Sequence, residues 1–428
     1  MTGHSHGQGP APATRRVKLA LAAVMAVLAA GTIIALAVLW PKAGQVPQKT
    51  AYLAPDASYA PGVVTRLDPG NPAGEVLFRL DATGQEVRLY TVGEVPLEDF
   101  QIGDHIKTLN FPDAGAAGGE VYVFQDFYRD GPMLLLALVF ALTVLAVARL
   151  KGLAAMAGLA GGLALVWLFT VPALVAGKPS LAVALTTASA IMFIVVYLAH
   201  GISVKSTTAL LGTFLGTAVV ASLAWWAVPA SHLIPMVDEV LVQLSYNAGG
   251  VDLKGVLLCG MVLAGVGVLN DVTITQASAV WELRAAAPSA TRRSVFASAM
   301  RIGRDHIAST VYTIAFAYIG GALGLLMLAS TFDHTVLSLL TVEDIASELV
   351  PILVASIGLV LAIPLTTAIG AWLGGGPARG GPAGQGPAQG PVTARQSPGP
   401  TSPESPPGSG HESAEGSKPG HAHPLPGL

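Results

Sequence analysis

Four polar residues recur at helical spacing at the end of a long apolar stretch. They are separated by four, three and four positions: Asp271, Thr275, Ser278 and Glu282. A helix would place all four on one face. Because an Asp at the centre of a bilayer costs about 2.5 to 3.5 kcal/mol, it is expected to face a bundle interior or a wet cavity. The spacing therefore predicts a polar pathway. The alternative is an amphipathic face lying on the membrane surface, if the helix leaves the bilayer near Leu269.

Two further polar clusters lie in connections between apolar segments. These are residues 200–208 and 301–306, and their candidate gate residues are His200, Lys205, Asp305 and His306. A histidine titrates near physiological pH, and a nearby carboxylate can orient it, as a proton relay or a gate requires. The clusters therefore predict a gate at the cytoplasmic mouth of the pathway. The alternative is helix capping, with Ser203 or Ser206 beginning one helix and Asp305 serving the first turn of the next.

Composition defines the class of protein that must position these residues. Of 428 residues, 52% are hydrophobic and only 11% are charged, whereas about 25% are charged in soluble domains. The chain is therefore expected to be an integral membrane protein that contacts the lipid bilayer. Its net charge of -3 provides no basic field for nucleic acid. The lone cysteine, Cys259, can form no intrachain disulfide and is expected to be a small packing residue.

The sequence predicts no enzyme. It lacks the P-loop pattern and the motifs of common hydrolases. Asp271 and Glu282 are also ~16 Å apart on a helix at 1.5 Å rise per residue, which is too far for two carboxylates to share a proton. No cofactor is expected.

Apolar runs predict a membrane-embedded α-helical bundle of about eight transmembrane helices. An anchor helix spans residues 19–40, and seven further helices occupy residues 131–373. Their predicted cores are 132–148, 153–176, 181–199, 207–228, 255–269, 307–330 and 349–373. Basic residues gather in alternate connections, and such residues accumulate on the cytoplasmic side. We therefore expect a multi-pass protein of the bacterial plasma (inner) membrane with both termini in the cytoplasm.

Residues 41–130 have a different character from the rest of the chain. Short alternating segments separated by turn residues predict five strands. These are 62–67, 75–80, 85–90, 105–110 and 120–127. Five strands in so short a segment predict a small all-β domain, an antiparallel barrel or sandwich that is OB-like or another small barrel. The same topology places this domain outside the cytoplasm.

Both ends of the chain are expected to be disordered in the cytoplasm. Residues 1–18 and 374–428 are rich in small residues and proline, and they have no apolar period. Each end carries a histidine pair: His4 and His6, and His421 and His423. Imidazole pairs can bind transition metals weakly, although two per tail do not complete a site. Metal binding and simple solvation of the tails both stay open.

Glycines carry two structural predictions. Gly260, Gly265 and Gly267 weaken the helix ahead of Asp271, so this span is expected to break there, as spans do in transporters. Three pairs at four-residue spacing predict close contacts between helices. These pairs are Gly158 and Gly162, Gly212 and Gly216, and Gly320 and Gly324.

The combination of motifs resembles the YibE/F family of bacterial membrane proteins. The resemblance lies in Asn270 to Arg284, in the loop from His200 to Thr208 and in Arg301 to Thr310. The order of an anchor, a small extracytoplasmic domain ending in Asp126-Phe127-Tyr128-Arg129, and a multi-span bundle is also similar, over about residues 15–373. The resemblance implies a fold and a membrane location, but no activity.

Two functions follow from these observations. The first is a permease-like protein that moves a small solute or ion along Asp271, Thr275, Ser278 and Glu282, which we call the pathway row, and through the cytoplasmic gate. The second is a non-transporting scaffold or sensor whose β domain binds an envelope protein partner. Substrate, coupling and assembly into a homo-oligomer are left open by the sequence.

Overall fold

The computed structural model describes residues 14–46, 53, 56–68, 75–90, 95–112, 119–233, 239–247, 251–331 and 335–374. The histidine pairs at positions 4, 6, 421 and 423, and all but the first residue of the predicted C-terminal tail, lie outside these ranges. The first helix, α1, is Arg15–Leu39. It therefore includes Arg15, Arg16 and Lys18, which the sequence analysis assigned to the N-terminal segment.

The segment after α1 forms a small closed barrel. Its strands are β1 (Ser58–Tyr59), β2 (Gly62–Asp68), β3 (Glu75–Leu80), β4 (Glu86–Tyr90), β5 (His105–Phe111) and β6 (Val121–Phe127). The sheet order is β1-β5-β2-β3-β4-β6, and an additional β5–β6 pairing closes a ring of five strands. β4 and β6 are parallel, and the other neighbours are antiparallel. The structure confirms the barrel, one of the two predicted arrangements, with its five strands. The short β1 was missed, and the expectation of purely antiparallel pairing was wrong, because the chain closes the barrel through the parallel β4–β6 pair.

Aromatic side chains fill the barrel. Phe78, Phe100 and Tyr122 are almost fully buried. The Phe78 and Tyr122 ring centroids are 5.7 Å apart in an edge-to-face arrangement, which is favourable for aromatic pairs. The Tyr122 hydroxyl donates a 2.5 Å hydrogen bond to the Glu120 carboxylate. Burial, and then this hydrogen bond, raise the pKa of Tyr122 to about 12.

The rest of the described chain is helical. The helices are α2 (Asp130–Leu165), α3 (Val171–Val175), α4 (Ser180–His200), α5 (Val204–Ala230), α6 (Glu239–Asn247), α7 (Leu253–Ala286), α8 (Arg292–Gly321), α9 (Leu323–Ser330), α10 (Val336–Leu340) and α11 (Glu343–Leu373). A five-residue π-helix, Val166–Thr170, joins α2 to α3. The helices α4, α5, α7 and α11 form the centre of the bundle, where Cys259 is buried among apolar side chains.

Helix α2 reverses direction at Arg149. The backbone there is non-helical, with φ 52° and ψ -136°. A Cβ at Gly152 would lie 2.7 Å from the carbonyl oxygen of Val144. Residues eight positions apart in a continuous helix are about 12 Å apart along its axis, so this approach requires the chain to fold back. The two limbs, residues 130–148 and 150–175, correspond to the second and third predicted helices.

The helices are suited to a membrane. Within the described ranges, six are long and apolar enough to cross one, or seven if the bent pair α8 and α9 forms one span. That count treats Asp130–Val175 as a single span of 46 residues. A helical membrane protein is therefore confirmed, whereas the count of eight crossings is not.

Glycines bring the central helices into close contact. A Cβ at Gly212 would lie 2.9 Å from Cβ of Thr366, and one at Gly216 would lie 3.0 Å from Cβ of Ala362. Gly158 and Gly162 lie against α4 in the same way. These two pairs confirm the predicted helix contacts.

The third glycine pair behaves differently. Among the described residues, no atom outside their own helix lies within 4 Å of the Cβ positions of Gly320 and Gly324. They flank a 65° bend between α8 and α9. The prediction of a close contact was wrong here, because the same spacing of flexible residues also permits a break.

Candidate functional site

The predicted pathway row lies on a continuous helix. Helix α7 runs without interruption for 34 residues. The break predicted ahead of Asp271 was therefore wrong. Gly265 lies against Val220 of α5, with 3.0 Å between a Cβ there and the nearest side-chain atom. This glycine thus allows helices to approach instead of unwinding the chain, whereas Gly260 and Gly267 face open space.

The row faces away from the bundle core. Asp271, Thr275 and Glu282 are exposed, and Ser278 is half-buried. The Thr275 hydroxyl donates to the carbonyl of Asp271 at 2.9 Å, and the Ser278 hydroxyl to that of Ile274 at 2.7 Å. The hydroxyls are therefore satisfied within α7, and the carboxylates form no ion pair with any other described residue. The four residues share one accessible face, as their spacing predicted.

Neighbouring contacts indicate where the row lies in the bundle. Ile274, three residues after Asp271, borders a cavity formed in part by the α4–α5 connection. Val272, on another face of α7, packs with Ile314 of α8. Asp271 therefore lies on the open side of α7 between these two neighbours. Glu282, only four residues before the end of α7, lies well past the level of Ile274.

The cavity next to this row contains half of the predicted gate. Its volume is about 420 Å³. The titratable side chains that line it are all basic: Lys151, His200 and Lys205. Lys205 is half-buried, whereas Lys151 and His200 are exposed. Lys151 was not among the predicted gate residues, because it enters the cavity from α2, next to the reversal at Arg149.

Local hydrogen bonds hold the α4–α5 connection in place. Ser203 caps α5 by accepting from the backbone N–H of Ser206 at 3.1 Å. The Ser206 hydroxyl lies 2.9 Å from the Ser203 hydroxyl and 3.3 Å from the carbonyl of His200. The capping role considered for Ser203 is therefore present, and it fixes the positions of His200 and Lys205 at the cavity.

The other half of the predicted gate lies elsewhere. Asp305 and His306 are in the middle of α8 and do not line the cavity. Asp305 is exposed. Nε2 of His306 is buried and has no hydrogen-bond partner within the described part of the chain. Among the described residues, no three metal-binding side chains come together.

A second polar system, which the sequence analysis did not identify, lies inside the bundle. Nε2 of Gln276 donates to the carbonyl of Ala299 at 2.9 Å and to the Thr367 hydroxyl at 2.7 Å. The hydroxyls of Thr213 and Thr273 are 2.6 Å apart. These contacts join α7 to α5, α8 and α11. The sequence feature that could have predicted this buried system is the helical spacing of Thr and Gln residues within the apolar segments.

Arg284 extends this buried system to the end of α7. Its side chain is only 6% exposed. It donates to the carbonyl of Ala290 at 2.7 Å and to that of Ala371 at 3.2 Å. Arg284 therefore connects α7, the following loop and α11.

Together these features define a polytopic helical membrane protein with a small barrel, a polar row on one helix and a basic cavity beside it. Residues 136–375 match the YibE/F-like proteins. Because this match covers more than half of the sequence, the chain belongs to the YibE/F-like family. The match begins within α2 and ends after α11, so it does not include the barrel. Comparison with curated proteins and with solved structures gave no match.

Proposed function

We propose that the chain is a permease-like protein that moves a small solute or ion along the open face of α7. The observation that carries this proposal is the single accessible row of Asp271, Thr275, Ser278 and Glu282 beside a cavity lined by Lys151, His200 and Lys205. Hydrocarbon solvates a carboxylate poorly, so a function that keeps water or an ion at Asp271 would explain its position. The cavity lined by His200 and Lys205 would be the cytoplasmic mouth. Asp305 and His306, which lie outside it, have no assigned part in that mouth.

A topology of eight crossings accompanies the proposal. The reversal at Arg149 supports counting α2 as two spans, and the bent pair α8 and α9 would supply one more. Lys151, Lys205 and Arg284 would then lie on the cytoplasmic side of a plasma membrane, with both termini there and the barrel outside. Cysteine accessibility tests this arrangement. After Cys259→Ser, a cysteine at position 98 in the barrel should react with an impermeant maleimide in intact cells, and one at position 293 should not.

Flux through proteoliposomes tests the transport proposal. We would apply concentration steps of sodium, potassium, protons, chloride and phosphate, together with labelled amino acids and sugars. Wild-type protein is expected to move at least one of them, and Asp271→Asn should reduce that flux by about tenfold or more. Glu348→Gln, an exposed acid at the other end of the bundle, is the matched control and should retain flux. Unchanged flux in Asp271→Asn would exclude the row from the transport pathway. The absence of flux for every probe would contradict the proposal that the chain is a permease.

A groove on the barrel supports the second candidate, a scaffold or sensor. The groove has a volume of about 520 Å³ and is lined by Tyr59, Lys107 and Tyr128 among others. Tyr59 and Tyr128 are 54% and 39% exposed, and Nζ of Lys107 lies 4.4 Å from the Tyr128 ring centroid. Exposed aromatic residues next to a cation are common where proteins bind one another.

Crosslinking in cells separates the two candidates. A photoreactive residue at position 59 should capture a stoichiometric envelope protein if the chain is a scaffold. The same probe at position 102, where Ile102 is 70% exposed away from the groove, is the control. Capture of a second copy of the chain would instead indicate a homo-oligomer. Specific capture without flux favours the scaffold, whereas flux without capture favours the permease.

A further inference from the structure

The basic cavity between α2, α4, α5 and α7 has the chemistry of an anion site. Two lysines supply its charge, Lys151 from the second limb of α2 and Lys205 from the first turn of α5, and His200 at the end of α4 adds an imidazole. No Asp or Glu is among its lining residues. Within the described part of the chain, neither lysine forms a salt bridge. Two ammonium groups at one cavity therefore lack a countercharge from the described chain.

Two serines and a helix terminus lie beside these charges. Ser203 and Ser206 line the same cavity, although the Ser206 hydroxyl donates to the carbonyl of His200 and the Ser206 N–H donates to Ser203. Helix α5 begins at Val204, so the backbone N–H groups of Val204 and Lys205 lie at this end. Lysines and the start of a helix are groups that hold phosphate in proteins. The cavity volume of about 420 Å³ is large enough for a phosphate group with its bound waters.

We propose that this cavity binds a phosphate group, supplied either by inorganic phosphate or by the headgroup of an anionic lipid. Both sources fit a basic cavity between helices that opens at one end of the bundle. The proposal concerns binding alone, and it goes beyond the proposed transport function, which depends on Asp271. The alternative is that both lysines only orient the protein in the membrane and that no ligand binds between them.

Two arms of one experiment distinguish the sources. Full-length protein is placed in nanodiscs of phosphatidylcholine and titrated with inorganic phosphate, with binding followed calorimetrically. In the second arm, native mass spectrometry counts the phosphatidylglycerol molecules retained from mixed nanodiscs. Saturable binding in the first arm identifies free phosphate, and retention in the second alone identifies a lipid headgroup. Either result supports the site, and binding in neither arm overturns it.

Matched charge variants locate the binding. Each of Lys151→Gln and Lys205→Gln should weaken it about fivefold, because a lysine near an anionic phosphate contributes about that factor. Lys205→Arg keeps the charge and should bind within about twofold of wild type. Lys254→Gln removes an exposed charge at the start of α7 and is the control. Equal weakening by Lys254→Gln, or none by the two cavity variants, would contradict the site.

The binding test and the flux test can fail separately. Binding that survives in Asp271→Asn while flux is lost would support both proposals. Loss of flux activity in every preparation would leave the phosphate measurement unaffected, because it requires only folded protein. Unliganded unfolding midpoints of the glutamine variants check that folding is retained. If Lys151→Gln fails to fold, the comparison of Lys205→Gln with Lys205→Arg decides the result.

Discussion

Helix α7 carries polar side chains on two faces that differ in burial and in hydrogen bonding. On the inner face, Gln276, Thr273 and Arg284 are buried and hydrogen-bond to neighbouring helices or loops. On the outer face, Asp271 and Thr275 are exposed, and the Thr275 hydroxyl donates to the carbonyl of Asp271 within α7. A buried polar group must find a partner to offset its lost hydration, whereas an accessible one is available to a ligand. Variants of the two faces should therefore differ in kind: stability changes for the inner face and activity changes for the outer face.

Arg284→Met should produce the largest loss of stability. It removes two charge-assisted hydrogen bonds to the carbonyls of Ala290 and Ala371. Such bonds contribute about 1.5 to 3 kcal/mol each, so we expect the free energy of unfolding to fall by about 3 kcal/mol. Unfolding of the full chain by SDS in mixed micelles, followed by tryptophan fluorescence, measures this change. Arg293→Met, at an exposed position in the first turn of α8, is the control, and an equal loss there would contradict the inner-face role.

Gly212→Ala should cause the next largest decrease in the free energy of unfolding. The added Cβ would lie 2.9 Å from Cβ of Thr366. Because both atoms lie on packed helices, α5 and α11 must separate, which costs about 1 to 3 kcal/mol. Gly260→Ala on α7 is the matched control, since no atom lies near that Cβ position. Alanine should stabilise the helix there by up to about 1 kcal/mol, and the same SDS titration should show opposite signs for the two variants.

Gln276→Leu tests one pair of inner-face hydrogen bonds. The variant loses the bonds to Ala299 and Thr367 but keeps a side chain of similar volume. Hydrogen bonds between membrane helices contribute about 0.6 kcal/mol on average, so a loss of about 1 kcal/mol is expected. Thr275→Val on the outer face removes a hydroxyl that bonds only within α7, and it should change stability by less than about 0.5 kcal/mol. Equal losses would mean that the two faces are energetically alike.

The sequence was sufficient to predict the barrel and the shared face of the polar row. Strand boundaries agree to within one residue, because apolar alternation and turn residues are local signals. The row of Asp271, Thr275 and Ser278 followed from helical periodicity in the same way. Periodicity alone could not tell which face points inward, because a threonine bonded to another helix and a threonine facing a ligand look identical in sequence.

Contacts between distant segments were beyond sequence reasoning. His200 and Lys205 are separated by one short loop, so their proximity was predictable, whereas Lys151 reaches the same cavity only because α2 reverses at Arg149. Asp305 and His306 were grouped with them on the basis of topology, but the packing of α8 places them elsewhere. Glycine spacing likewise predicted two helix contacts correctly and could not identify the bend at Gly320 and Gly324, since the same residues permit both.

The smallest expected effect on stability is also the sharpest test of the outer face. If water or an ion surrounds Asp271, then Asp271→Leu should change the free energy of unfolding by no more than about 0.5 kcal/mol. If hydrocarbon surrounds it, the same variant should stabilise the protein by about 3 kcal/mol, the difference between Asp and Leu at bilayer depth. Glu282→Leu, near the end of α7, should have little effect in either case. SDS unfolding of both variants decides between these surroundings. A gain of about 3 kcal/mol for Asp271→Leu would show that lipid surrounds Asp271 and would contradict the proposed pathway.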